Sequence, residues 1–193
     1  FKNLYMIAVL SDSHIPSRAE EIPEKFWNKI EQADIVVHAG DYAREETFNA
    51  LEQYSNEFYG VKGNCDFFQT DRLEESHTFE HEGLNFGVYH GTGITPRGHT
   101  PTLEKIAVKD LEADILINGH THETEIKNTG NALLLNPGSC TGVGGGSARP
   151  SNPTMIVLEQ NNEKLIAKII EVENEEINIV DSKSFKLQKI QNT

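Results

Sequence analysis

Short apolar runs that stop at polar turns, most of them containing glycine, constrain this chain more than any other feature. Leu4–Leu10 runs into Ser11-Asp12-Ser13-His14, Ile35–Ala39 into Gly40-Asp41, and Phe58–Val61 into Gly63-Asn64. Later, Leu84–Tyr89 meets His90-Gly91, and Ile115–Ile117 meets Asn118-Gly119-His120-Thr121-His122. Pro23 opens a predicted helix to about Gln32, with Phe26, Trp27 and Ile30 on one side, and a second helix covers about Glu45–Tyr54. This βαβαβ beginning predicts parallel strands joined by helical crossovers. In such a sheet the carboxyl ends of the strands share one edge, and ligands bind there. Every turn just named therefore falls on one rim.

The middle of the chain changes character. Thr78–Glu80 and Leu84–Tyr89 flank His81-Glu82-Gly83, which reads as a hairpin, and Thr92–Pro101 reads as an exposed loop. Leu103, Ile106, Ala107 and Leu111 recur at helical spacing through about Ala113. Beyond Ile117 the expected strands are Glu125–Asn128, Ala132–Leu135, Thr154–Leu158 and Leu165–Val172, with Gly142–Ser147 a loop between strands. Glu176–Ile190 alternates loosely and is expected to belong to a C-terminal β extension over 175–193. No repeat or low-complexity linker interrupts the 193 residues, and a domain typically takes ~100–200. One α/β domain over 1–193 is expected. The chain begins at Phe1; Met6 is read as the native start, and residues 1–5 carry no functional weight.

Composition narrows the function classes. No window approaches the roughly 18 apolar residues of a membrane helix, and the run Met6–Leu10 is too short for a signal-peptide core. Seventeen basic residues face thirty acidic ones, a net charge of −13, which disfavours a broad grip on duplex nucleic acid but leaves room for a small phosphorylated substrate. Two cysteines, Cys65 and Cys140, cannot frame a disulfide scaffold. They fit a reducing compartment, so a cytoplasmic location is expected.

Taken singly, an Asp after a strand is a cap or turn residue and a strand-end His is a packing residue. Taken together, Asp12, His14, Asp41, Asn64, His90, His120 and His122 all fall at one rim. Two carboxylates, four imidazoles and an amide suit Mn²⁺, Fe²⁺, Zn²⁺, Co²⁺ or Ni²⁺ better than Ca²⁺ or Mg²⁺. Seven ligands exceed one tetrahedral site. With one carboxylate bridging they divide into two sets of four, for two ions ~3.5–4 Å apart. Of the other histidines, His38 is expected in the core or behind the ligands, and His77 and His81 are expected to face solvent.

Asp12-Ser13-His14, Gly40-Asp41, Gly63-Asn64, His90-Gly91 and Gly119-His120-Thr121-His122 resemble, in order, the motifs of the calcineurin-like metallophosphoesterases. Leu135-Asn136-Pro137-Gly138-Ser139 is similar to an element of the compact YfcE-type phosphodiesterases of that superfamily, and the likeness runs from Met6 to about Glu159. The resemblance implies an α/β/β/α sandwich of two mixed sheets flanked by helices. It implies that Asp12, His14, Asp41 and His122 bind one divalent ion and that Asp41, Asn64, His90 and His120 bind a second, with manganese favoured. A hydroxide bridging the two ions would then attack phosphorus.

The pattern departs from the family at three places. Many members carry His after Gly-Asn, where it protonates the leaving group; this chain has Cys65 followed by Asp66. Cys65 is thus a candidate acid or a packed side chain, and Asp66 is counted with it among the catalytic candidates. Thr92 stands where a further His is common, and Arg149 is the candidate for an arginine that contacts phosphate. The function implied is hydrolysis of small phosphodiesters. The alternatives are a phosphomonoesterase with the same site, or a non-catalytic scaffold such as the retromer subunit of this fold. The expected partners are a small phosphoester and a second copy in a homo-oligomer, with neither duplex nucleic acid nor membrane.

Overall fold

A computed structural model describes residues 4–187. Two mixed sheets lie face to face. The larger, in the order β11-β10-β9-β1-β2-β3, contains β1 (Tyr5–Leu10), β2 (Ile35–His38), β3 (Phe58–Gly60), β9 (Thr154–Gln160), β10 (Lys164–Glu173) and β11 (Glu176–Lys186). The smaller, β4-β5-β6-β8-β7, contains β4 (Ser76–His81), β5 (Leu84–Tyr89), β6 (Ile115–Ile117), β7 (Thr124–Asn128) and β8 (Leu133–Pro137). β1, β2 and β3 run parallel, as do β5, β6 and β8. The predicted βαβαβ beginning and both central hairpins, β4/β5 and β7/β8, are present. The part of the expected C-terminal extension beyond residue 187 lies outside the described residues.

Alternation along the strands builds four layers, because successive strand side chains point to opposite faces. Ile7 and Val9 of β1 join Ile115 and Ile117 of β6 and Leu133 and Leu135 of β8 in a core between the sheets. The intervening Ala8 and Leu10 face outward, where they meet Phe26 and Ile30 of α1 (Glu24–Gln32) and Phe48 and Leu51 of α2 (Glu45–Tyr54). On the opposite side Leu116 and Leu134 pack on Leu103 of α3 (Thr100–Lys105) and on Ala107 just beyond it. The expected α/β/β/α sandwich is the observed fold. α3 differs from its prediction by starting at Thr100 and widening into a π turn over Ile106–Asp110, where the Leu111 amide reaches the Ile106 carbonyl at 3.0 Å. No helix among the described residues is long and apolar enough to cross a membrane.

His77 and His81 do not face solvent as expected. Both are half-buried, His77 stacked on Tyr59 at 5.2 Å and His81 edge-on to Tyr5 at 4.9 Å. Each sits on a strand beside an aromatic ring of the other sheet, so the imidazole becomes part of the seam.

Candidate metal centre

The loops after β1, β2, β3, β5 and β6 open at one end of the sandwich, and backbone hydrogen bonds lace them together. Asp12 N donates to Gly40 O at 2.9 Å, His14 N to Asp41 O at 3.0 Å, and Gly119 N to His90 O at 3.1 Å. Two further bonds cross from one sheet to the other: His120 N to Asp12 Oδ2 at 3.1 Å and the His90 ring Nδ1 to Ala39 O at 2.7 Å. Such crowded backbones explain the glycines of the motifs. A Cβ on Gly63 would lie 2.2 Å from Asp41 Oδ1, and one on Gly119 would lie 2.0 Å from Ser11 Oγ. No other residue fits there.

Backbone strain collects at the same place. Asp12, His14, Asp41, His120 and His122 all have positive φ, between 49° and 71°. Asp and His tolerate this left-handed region better than most residues, yet each instance costs about 1–3 kcal/mol and persists only where the surroundings enforce it. The tight turns aim five side chains inward that an unstrained loop would splay.

The aimed atoms form two overlapping groups. In the first, His14 Nε2 lies 3.8 Å from Asp12 Oδ1, 3.4 Å from Asp41 Oδ2 and 3.3 Å from His122 Nε2, and His122 Nε2 lies 3.2 Å from Asp12 Oδ1. All four donors fall within 4.8 Å of one another. In the second, His90 Nε2 lies 3.4 Å from the same Asp41 Oδ2, 3.2 Å from Asn64 Oδ1 and 3.3 Å from His120 Nδ1. Ligand atoms ~2.0–2.2 Å from a cation at tetrahedral angles stand roughly 3.3–3.6 Å apart, which is the spacing seen. All seven sequence-predicted metal ligands therefore converge.

Asp12, Asp41, His90 and His122 each keep one atom for the centre and tie down the other, whereas buried His14 Nδ1 has no partner. Asp12 Oδ2 accepts from Ser11 Oγ at 2.6 Å and from His120 N, while buried Asp12 Oδ1 has no hydrogen-bond partner. Asp41 Oδ1 accepts from Cys65 N at 2.7 Å, leaving Oδ2 to the cluster. His90 Nδ1–H and His122 Nδ1–H donate to Ala39 O and Val143 O, both at 2.7 Å, so each turns Nε2 inward. An orphaned carboxylate oxygen beside inward-turned imidazole nitrogens, each able to offer a lone pair once unprotonated, is the environment a divalent cation completes. The Asp/His donor set fits a divalent transition metal.

Electrostatics agree. Burial opposes ionisation of Asp12, yet the His122 and His14 rings beside it hold its carboxyl well below the usual range. Asp41 is lowered against burial by its hydrogen bond to His90. His90 is raised to about 9, the two carboxylates outweighing burial. His120 is pushed down to about 4 by burial and by repulsion from His90 and Arg97. His38, expected behind the ligands, is there: it receives the Gly40 amide on Nδ1 at 3.2 Å, which leaves its Nε2–H to donate to Ser13 Oγ at 2.6 Å.

The other candidates divide. Cys65 borders a cleft of about 490 Å³ beside His14, its Sγ 3.3 Å from Asn64 Nδ2. Burial, followed by the Asp41 charge, pushes the thiol up to about 11. Thr92 lines a second cleft of about 820 Å³ with Asn64. Asp66 turns away from the rim into the protein, where its carboxylate accepts Gly63 N at 2.8 Å and Asp41 N and Ala43 N, each at 2.9 Å. It shapes the two loops and also lines the cleft of Asn64 and Thr92, but not the one beside His14. Arg149 is exposed and lines neither cleft.

Three features escaped the sequence reading. Asn136 Nδ2 clamps the Gly119–His122 turn through Asn118 Oδ1, Gly119 O and Thr121 Oγ1 at 3.0–3.1 Å. Ser139 Oγ and Thr141 Oγ1 hold Asp12 O and Ser13 O at 2.8 and 2.9 Å. Arg18 and Arg44 line the cleft beside His14 and Cys65; their positions four and three residues past His14 and Asp41 are the only sequence signal of that placement.

Comparison with known proteins places this geometry. The profile of the calcineurin-like phosphoesterase superfamily domain matches residues 6–163. A probable metallophosphoesterase of Methanothermobacter thermautotrophicus is 38% identical over 165 residues, which cover 86% of this chain and 91% of that protein. Vacuolar protein sorting 29 from Cryptosporidium parvum superposes with a TM-score of 0.86 at 22% identity, over 95% of this chain and 98% of that one. Wild-type Vps29 from Entamoeba histolytica, solved in complex with Zn²⁺, gives 0.79 at 28% identity over 94% and 98%.

Proposed function

Because the chain belongs to the calcineurin-like phosphoesterase superfamily, we propose that it is a metal-dependent phosphodiesterase that hydrolyses small phosphodiesters. The observation that carries this reading is the Asp41 oxygen shared by two donor groups. Asp12, His14, Asp41 and His122 would hold one divalent ion, and Asp41, Asn64, His90 and His120 a second. Manganese suits this mixed nitrogen and oxygen set, as do iron, nickel, cobalt and zinc. Two such ions, when bound, supply an activated water and offset the charge on the phosphate.

The chain's own residues then do the following. The carbonyls of Ala39 and Val143 fix the ring orientations of His90 and His122, and the Cys65 amide fixes the rotation of Asp41. An oxygen–phosphorus bond forms, the bond to the leaving oxygen breaks with its electron pair, and that oxygen needs a proton. The Cys65 thiol, protonated at neutral pH and bordering the cleft, is the candidate to give one. Two clefts flank the cluster, one at Asn64 and Thr92 and one at His14 and Cys65. A diester has an arm for each, whereas a monoester fills one.

Zn²⁺ bound to a Vps29 structure means that a metal-binding centre alone does not separate an enzyme from a protein-sorting scaffold. Turnover does. With Mn²⁺, Ni²⁺ and Zn²⁺ loaded separately, bis-p-nitrophenyl phosphate is expected to be cleaved faster than p-nitrophenyl phosphate. Faster monoester cleavage with every metal would make the protein a phosphatase, and no cleavage of either would favour the scaffold.

A further inference from the structure

The two clefts beside the metal centre differ in charge. The Asn64 side carries Lys62 but also Asp71 and Glu75. The His14 side carries Arg18, Arg44, Ser17, Cys65 and Phe67, and no carboxylate lines it. In a chain of net charge −13, an uncompensated pair of guanidinium groups is unexpected, since solubility is served by the excess acid. Neither arginine has a carboxylate within ion-pair distance among the described residues, whereas Arg72 is paired with Glu45 and Glu52. Arg18 is also anchored. Its backbone amide closes a turn onto His14 O at 2.9 Å, and its guanidinium donates to Gly144 O at 3.1 Å, which leaves the rest of the fork free. It lines the same cleft as Cys65, the proposed leaving-group acid. Arg44 immediately precedes α2 and lines the same cleft.

We infer that Arg18 and Arg44 form a second anion-binding subsite, and that the preferred substrate is a nucleotide-type phosphodiester carrying a further phosphoryl group on the arm that enters this cleft. A planar guanidinium fork matches phosphate oxygens, and two forks on one wall match a doubly charged terminal phosphate better than a neutral alcohol arm. Phe67, with 86% of its surface exposed at the boundary of both clefts, adds a face on which a base can stack. The cleft volume of about 490 Å³ accommodates one nucleotide. This inference rests on the phosphodiesterase reading only for the position of the scissile phosphate.

Calorimetric binding to the metal-loaded protein tests it whether or not the protein turns over. Thymidine 3′,5′-bisphosphate is expected to bind about tenfold or more tightly than thymidine 5′-monophosphate. In Arg18→Ala/Arg44→Ala that ratio is expected to fall below about threefold, because only the second phosphate loses its donors. Arg18→Lys/Arg44→Lys, which keeps the charge and loses the fork, is expected to fall between. Equal affinity for the two ligands in the wild type, or equal weakening of both in the double alanine variant, would overturn the inference. Turnover of bis-p-nitrophenyl phosphate, measured in parallel, reports on the phosphodiesterase reading alone, so the two can fail separately.

Discussion

Asp41 Oδ2 stands 3.4 Å from His90 Nε2, while the other oxygen of the same carboxylate is held by the Cys65 amide at 2.7 Å. The carboxylate therefore cannot rotate without giving up one of these partners, and its free oxygen also lies 3.4 Å from His14 Nε2. Asp41→Asn keeps the shape but turns either an NH₂ group toward the cluster or an NH₂ group toward the Cys65 N–H. Both outcomes repel. The variant is expected to fold, to bind no more than half the wild-type metal by elemental analysis, and to lose more than nine-tenths of its turnover of bis-p-nitrophenyl phosphate. Retained turnover at saturating metal would remove Asp41 from the shared position.

His90 sets a pH dependence whose sign is fixed by the metal-free protein. Its imidazole is raised to about 9 by the carboxylates around it, so it carries a proton at neutral pH that a bound cation must displace. Metal affinity is expected to climb as pH rises toward about 9 and to level off above it. Calorimetry at pH 7 in buffers of different ionisation enthalpy should show proton release on binding. For the metal-free protein the same shift acts in reverse: the stability His90 contributes is fully present below the ordinary imidazole value of 6.5 and is lost as pH rises through about 9. Metal titrations that give one affinity from pH 6 to 9 would contradict this assignment.

Asp66 offers a test of a positioning residue against a reacting one. Its carboxylate accepts three backbone amides from the loops that carry Asp41 and Asn64. Hydrogen bonds to a charged group are worth about 1.5–3 kcal/mol each. Asp66→Ala is therefore expected to lower the melting temperature and weaken metal binding together, with thermal unfolding and metal titration as the measurements. Asp66→Asn should restore part of both, because an amide oxygen still accepts. The shape of the pH–rate profile should not change in either variant; loss of one limb of that profile would return Asp66 to the chemistry.

The converging Asp, Asn and His residues were legible in the sequence because each is tied to a strand end, and strand ends can be read from apolar runs. Gly63 and Gly119 were equally visible, although only the structure shows that they make room for Asp41 Oδ1 and Ser11 Oγ. Adjacency to Cys65 grouped Asp66 with the catalytic candidates, and only the structure shows its carboxylate taken up by three backbone amides. Arg149 stood beside the right motif and points to solvent. Arg18 and Arg44 belong to two different loops, and nothing in their spacing announces that the β1 and β2 turns bring them to one wall. Motif order reports on the centre of the site. The walls depend on how loops from separate strands pack.

Cys65 carries the last expectation. Its thiol is pushed up to about 11, first by burial and then by the neighbouring Asp41 charge, so at neutral pH it holds a proton and can only donate one. Asn64 explains how it is placed: the side-chain oxygen faces His90 at 3.2 Å, which turns the amide nitrogen toward Cys65 Sγ at 3.3 Å. A p-nitrophenolate leaves without help, whereas an alkoxide needs a proton as the bond breaks. Cys65→Ala is thus expected to slow an alkyl diester at least tenfold more than bis-p-nitrophenyl phosphate, the order of general-acid contributions being about 10²–10⁴. Cys65→His supplies an acid whose pKa lies nearer the working pH, and it should raise turnover of the alkyl diester above the wild-type value. Equal slowing of both substrates in Cys65→Ala, with no gain in Cys65→His, would leave the thiol as a packed side chain and assign the leaving-group proton to water.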